Sequence, residues 1–108
     1  MINNFQHLQN QIVERLLPLD PDKIVLFGSY AYGTPNDESD IDLFLIKSIP
    51  KNEARQYTLQ ARKMLRDLIF TYKIGFDILT APEKFIKSRQ DHFYQEDIIK
   101  NGKVLYAK

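Results

Sequence analysis

One small-residue turn and three carboxylates stand out in this chain by type and spacing. Gly28-Ser29 is followed, after ten residues, by Asp40-Ile41-Asp42, and Asp77 comes later. The turn and the paired acids lie between two apolar runs, Ile24-Val25-Leu26-Phe27 and Leu43-Phe44-Leu45-Ile46, and Asp77 lies inside a third, Ile74 to Leu79. Glycine lets backbone approach a phosphate without a Cβ in the way. Carboxylates gathered at one place can share divalent cations. Together these are the equipment of nucleotidyl transfer, and little else in the chain suggests chemistry.

Strand geometry decides whether the acids can cooperate. Alternate residues of a strand face the same way, so Asp40 and Asp42 share one face while Ile41, Leu43 and Leu45 share the other and point to the core. Neighbouring like charges raise each other's pKa unless something compensates them. Ligands that are all oxygen, with no Cys or His, favour Mg²⁺ or Mn²⁺ over zinc. Phe76 and Ile78 flank Asp77 and point away from it. If the Asp77 strand lies beside the Asp40–Ile46 strand, three acids converge on one place. Two metal ions about 3.5–4 Å apart could then bridge the attacking and leaving oxygens of an in-line displacement, and Asp77 could help deprotonate an incoming hydroxyl. The Ser29 hydroxyl and the N–H groups of a short helix after it can bind phosphate oxygens. The turn is not a Walker A loop, because no Gly-Lys-Ser/Thr follows, and only Gly28 and Gly33 are present where a dinucleotide fingerprint needs three glycines.

The elements that must hold these residues can be read from periodicity. Phe5, Leu8, Ile12, Val13, Leu16 and Leu17 predict an amphipathic helix over residues 4–17, with Asn3 or Asn4 as N-cap and Pro18 and Pro21 ending it. Ile24–Phe27 reads as a buried strand, residues 29–33 as one helical turn ending at Gly33, and residues 34–39 as a polar loop. Asp40 to Ile46 is the second strand. A long helix is expected from about Asn52 to Phe70, with Ala54, Tyr57, Ala61, Leu65 and Leu68 on one side and Arg55, Arg62, Lys63 and Arg66 around the rest. Gly75 falls within the third strand, which Thr80-Ala81-Pro82 closes. Residues 83–101 read as helix in two pieces with Asn101-Gly102 as a C-cap, and Lys103 to Tyr106 as a short edge strand. This order predicts an α/β (α+β) fold, a single domain over residues 1–108 with helices packed on one small mixed sheet.

Composition narrows the classes of function. The chain has 108 residues, enough for one domain with a real core. Its net charge of +1 provides no bulk field for nucleic acid or membrane. There is no cysteine, which removes disulfides, thiolate nucleophiles and Cys-type zinc sites and suits a cytoplasmic protein. The first residues lack the basic and apolar regions of a signal peptide, and no apolar run approaches a membrane span.

Each feature has a plain structural reading. A lone Gly-Ser after a strand is usually a turn, a lone Asp-x-Asp usually a solvated loop, and a lone Asp77 a satisfied edge residue. The conjunction is what points to chemistry. Asp37 and Glu38 read as solvated loop acids, and His7 and His92 as helix residues without a paired ligand. The basic residues of the long helix read mostly as a solvated face; one could touch a triphosphate, and the sequence does not say which. Tyr30 and Tyr32 flank the turn and could stack on a base.

At these residues the chain resembles the DNA polymerase β-like nucleotidyltransferase superfamily, and most of all its minimal nucleotidyltransferase (MNT) branch. That branch shows Gly-Ser, ten residues, Asp-x-Asp and a third Asp on a later strand, matched here by Gly28, Ser29, Asp40, Asp42 and Asp77. Gly-Ser-Tyr-Ala-Tyr-Gly and Ser-Asp-Ile-Asp-Leu also follow its local pattern. The resemblance implies that Asp40, Asp42 and Asp77 are catalytic and hold Mg²⁺ or Mn²⁺, and that Gly28, Ser29 and Tyr32 contact ATP, the substrate. The position of Tyr32 is often Arg in relatives, so a cationic contact to the triphosphate is missing there or supplied elsewhere.

The resemblance also implies a role. Such small proteins serve as antitoxins of type VII toxin–antitoxin pairs. They transfer AMP from ATP to a hydroxyl, typically a tyrosine, of a HEPN-type ribonuclease toxin encoded nearby. Two other functions compete: neutralisation of the partner by docking alone, and transfer to a small antibiotic-like hydroxyl compound. Direct binding of nucleic acid is not expected, because no basic stripe would hold a primer.

Overall fold

Asn4 opens the first helix by accepting the His7 backbone N–H at 3.1 Å. A computed structural model describes residues 4–36 and 38–108. Helix α1, Phe5–Leu16, buries Leu8, Ile12 and Leu16. It tightens into a 3₁₀ turn, Leu17–Leu19, that takes up Pro18 and ends at Asp20 in the left-handed region. Strand β1, Lys23–Phe27, leads into the short helix α2, Ser29–Tyr32, which Gly33 caps with a left-handed conformation. Strand β2 spans Ile41–Ile46 and strand β3 spans Phe76–Ala81. Between them run α3, Lys51–Met64, and α4, Arg66–Tyr72. Helix α5, Glu83–Ser88, a π-helical segment, Phe93–Lys100, and strand β4, Lys103–Ala107, complete the fold.

The sheet order is β3-β2-β1-β4. Strands β2 and β3 are parallel, while β1 is antiparallel to both β2 and β4, so the sheet is mixed. The parallel pair needs a crossover, and α3 with α4 provides it. Alternation along the strands sends Ile24, Leu26, Ile41, Leu43, Leu45, Phe76 and Ile78 to one face, where α1, α3 and α4 cover them. It sends Val25, Phe44 and Ile46 to the other, where Ala81, Ile86 of α5 and Ile98 of the π-helical segment complete a second core. The expected α/β (α+β) fold with one small mixed sheet is what the structure shows.

Three local expectations change. The predicted long helix is two helices, because Leu65 leaves helical geometry (φ −94°, ψ 0°) at a fully buried position. The bend turns both Leu65 and Leu68 into the core. The third strand starts at Phe76 rather than Ile74, so Gly75 lies in the turn before it. The face that carries the acids is also a packed face, since Phe44 and Ile46 lie on it beyond Asp42. Asp37 and the residues before Asn4, including the Asn3 cap and the N-terminal targeting reading, lie outside the described residues. Among the described residues no helix is long and apolar enough to cross a membrane.

Candidate active site

Asp42 and Asp77 are neighbours. In the parallel ladder of β2 and β3, Asp42 pairs in register with Asp77, so both side chains leave the sheet on the same face. On the other side of β2, Asp42 pairs with Phe27, the residue before Gly28. The turn after β1 therefore starts beside the acid pair, and strand register links the two halves of the predicted site.

Glycine lets the halves approach. Gly28 has φ 75° and ψ −158°, a region essentially closed to residues with a side chain. A Cβ there would sit 2.0 Å from Asp42 Oδ2, so the carboxylate occupies the space a side chain would fill. Gly75 does the same for Asp40: a Cβ on it would lie 2.5 Å from Asp40 Oδ1. The Ile41 N–H donates to the Gly75 carbonyl at 2.9 Å, which fixes that turn against the start of β2. Sequence reasoning placed Gly75 inside a strand and gave it no role. A glycine two residues ahead of a strand acid was the available signal.

The acids are crowded. Burial, first, and then the charge of Asp77, a hydrogen bond shared with Asp77 and the charge of Asp40 push Asp42 up to about 6. Among the described residues none of the three is ion-paired with Lys or Arg. Packed carboxylates with no cation from the protein form an oxygen donor set suited to a hard divalent ion. Asp42 and Asp77 make the pair, while Asp40, exposed just before β2, leans on Gly75. No group of three Asp, Glu, His or Cys side chains stands ready as a metal cluster among the described residues.

The turn after β1 opens into a short helix. The N–H groups of Ala31 and Tyr32 both donate to the Gly28 carbonyl, at 3.0 and 3.1 Å, and hold the first turn of α2. The Ser29 hydroxyl makes no hydrogen bond among the described residues and remains available to a ligand. Tyr30 turns inward, its ring 4.9 Å from that of Phe5, and packs on the main core. Tyr32 turns outward, half exposed, and its hydroxyl donates to Asp97 Oδ1 of the π-helical segment at 2.6 Å. Beside β3, the Arg62 guanidinium donates to the Phe76 carbonyl at 3.0 Å, next to Asp77. Of the cations on the predicted long helix, Arg62 is thus tied to the backbone at the acid pair. His7 and His92 are exposed, and Glu38 is an exposed loop acid.

Known proteins resemble this chain in sequence and in fold. The sequence profile of the nucleotidyltransferase domain family matches residues 8–106. A candidate protein adenylyltransferase of Methanocaldococcus jannaschii is 34% identical over 76 residues, which cover 69% of this chain and 70% of that protein. A second from the same organism is 37% identical over 81 residues, covering 72% of this chain and 52% of its own length. In three dimensions the chain is similar to a toxin–antitoxin crystal structure with AMP-PNP. The TM-score is 0.60 at 21% identity, over 93% of this chain and 73% of that one. It is also similar to a structure of a tri-AMPylated Shewanella oneidensis HEPN toxin in complex with an MNT antitoxin. There the TM-score is 0.56 at 20% identity, over 95% of this chain and 72% of that one. At these identities the structural likeness carries the fold.

Proposed function

The chain belongs to the nucleotidyltransferase domain family, and from that premise we propose that it is a minimal (MNT) nucleotidyltransferase that transfers AMP from ATP to a hydroxyl of a HEPN-type toxin, as the antitoxin of a type VII pair in the cytoplasm. The acceptor we assign is a tyrosine. The observation that carries the reading is the in-register pairing of Asp42 with Asp77 beside the Gly28-Ser29 turn. Acceptor and phosphates need adjoining places, and that pairing supports such a reading by bringing the acids beside the turn.

Each residue then has a part. Gly28 keeps the backbone clear for the triphosphate, and the Ser29 hydroxyl donates to a phosphate oxygen. The Tyr32 ring stacks on the base while its hydroxyl stays on Asp97. Asp42 and Asp77 would hold Mg²⁺ or Mn²⁺, with exposed Asp40, seated against Gly75, completing the set. When bound, the cation neutralises charge developing on the α-phosphate and the leaving pyrophosphate. Asp77, the more exposed of the pair, accepts the proton of the tyrosine hydroxyl. The hydroxyl oxygen forms a bond to the α-phosphorus as the bond to pyrophosphate breaks.

The test is intact mass of the HEPN-type protein encoded beside this chain, after incubation with the chain, ATP and Mg²⁺. Mass gains in whole AMP units, mapped to tyrosine by fragmentation, are expected. A stable complex with no gain on either protein would replace this reading with neutralisation by docking.

A further inference from the structure

Helices α3 and α4 carry an exposed surface that the proposed reaction does not use. Phe70 of α4 is 76% exposed and Leu59 of α3 is 43% exposed, while most of the chain's other aromatic and aliphatic side chains are buried or half-buried. With Ile69 they line an open depression whose other walls include Arg62, Lys63 and Arg66. None of these three cations forms an ion pair among the described residues, and they stand together around one apolar centre. An exposed aromatic among arginines has the composition of an interface centre rather than of a solvated face.

The surface lies on the helix-covered side of the sheet, opposite the face from which the Asp42 and Asp77 carboxylates leave, and meets their strand at the β3 edge. Arg62, on its wall, donates to the Phe76 carbonyl, and Phe76 is the residue before Asp77. Something seated on the depression would therefore lie alongside the strand that carries Asp77. We propose that this α3–α4 face docks the acceptor protein, through a partner surface with carboxylates around an apolar centre. Charge complementarity selects that occupant: three unpaired cations surround the apolar centre and call for acids opposite. A partner seated there would present its hydroxyl to Asp77 by reaching round the edge strand β3, so the inference rests on the proposed reaction but concerns a separate surface.

Arg66→Glu and Phe70→Ala test it, both exposed positions outside the transfer site, with melting curves to verify the fold. Transfer is measured to the HEPN-type protein and to N-acetyltyrosinamide, an acceptor too small to span both the site and the patch. With the protein, each variant is expected to raise KM at least tenfold at low salt and leave kcat little changed. The rate with N-acetyltyrosinamide should stay at the wild-type level. Unchanged KM for the protein in both folded variants would overturn the docking face. So would sedimentation showing that Phe70→Ala only dissociates a dimer of this chain. If wild type modifies neither acceptor, the proposed reaction fails, and docking is then read by calorimetry with the HEPN-type protein. Weaker binding by the variants sustains the face, and equal binding overturns it.

Discussion

Asp42 carries two opposed demands, and its stability cost can be measured without any substrate. Its carboxyl is pushed up to about 6 by burial and by its acidic neighbours. The unfolded chain releases this proton near the ordinary carboxylate value, so between about pH 4 and pH 6 the folded state holds a proton that the unfolded state has lost. The group's favourable contribution is therefore full below pH 4, declines as pH rises through 6, and becomes a penalty above. With the divalent ion chelated, Asp42→Asn should melt higher than wild type at pH 7.5. Once solvent screening of a partly exposed group is allowed for, the gain is about 1 kcal/mol, or about 4 °C. At pH 4 the two proteins should melt nearly together. A variant that melts lower than wild type at pH 7.5 would show that the crowding is relieved in some other way.

The two glycines separate backbone need from site need. Gly28→Ala meets both a forbidden φ and the Asp42 carboxylate, and should cost about 1–3 kcal/mol along with activity. Gly75 has no left-handed φ, and the Cβ added there meets only the end of exposed Asp40. Gly75→Ala should therefore keep its melting temperature within about 2 °C yet lose at least tenfold in transfer, because Asp40 is displaced. A Gly75→Ala protein with full activity would remove Asp40 from the site. The placement of Asp77 beside Asp42 was legible in the sequence once a strand was assigned around it. That of Gly75 was not, because a one- or two-residue error in the strand start turns a site glycine into a strand glycine.

At the scale of elements, α2 is held at its far end by the Tyr32 hydroxyl on Asp97, a contact across 65 residues of sequence. No local pattern announces such a bond, and the sequence reading saw only an aromatic beside a phosphate turn. The two uses of Tyr32 can be separated. Tyr32→Phe keeps the ring and should bind ATP close to wild type. Tyr32→Ala removes the stacking surface and should bind about tenfold more weakly, measured by titration calorimetry. Equal weakening in both variants would assign the effect to the Asp97 bond instead. The break between α3 and α4 was also hidden. Leu65 fits the helical spacing of its neighbours, and only the shape of the core it fills shows that the chain must turn there.

For the whole molecule, the strand order lets a two-faced sheet present acids at one end. The apolar runs and their alternation fixed the main core in advance, because a strand's period of two allows one assignment of faces. The second core was less legible. Phe44 and Ile46 share a face with Asp42, and a single-core reading has no place for them. Phe44 is almost fully buried, with Phe27, Phe93 and Tyr94 rings around it at centroid distances of 6.1–6.5 Å. Phe44→Ala should cost about 3–5 kcal/mol in chemical denaturation. It should also loosen the π-helical segment, seen as faster amide exchange over residues 93–100. A loss below 1 kcal/mol would mean that this face is not a packed core.

Asp42 and Asp77 are the proposed reacting centre of the AMP transfer. Its most direct test is the single-turnover rate of AMP transfer to the HEPN-type protein by wild type and by Asp42→Asn, both shown folded by their melting curves, at saturating ATP and Mg²⁺. A loss of about a thousandfold or more is expected in the variant, with the complex intact. An Asp42→Asn protein that transfers AMP within tenfold of wild type would contradict it.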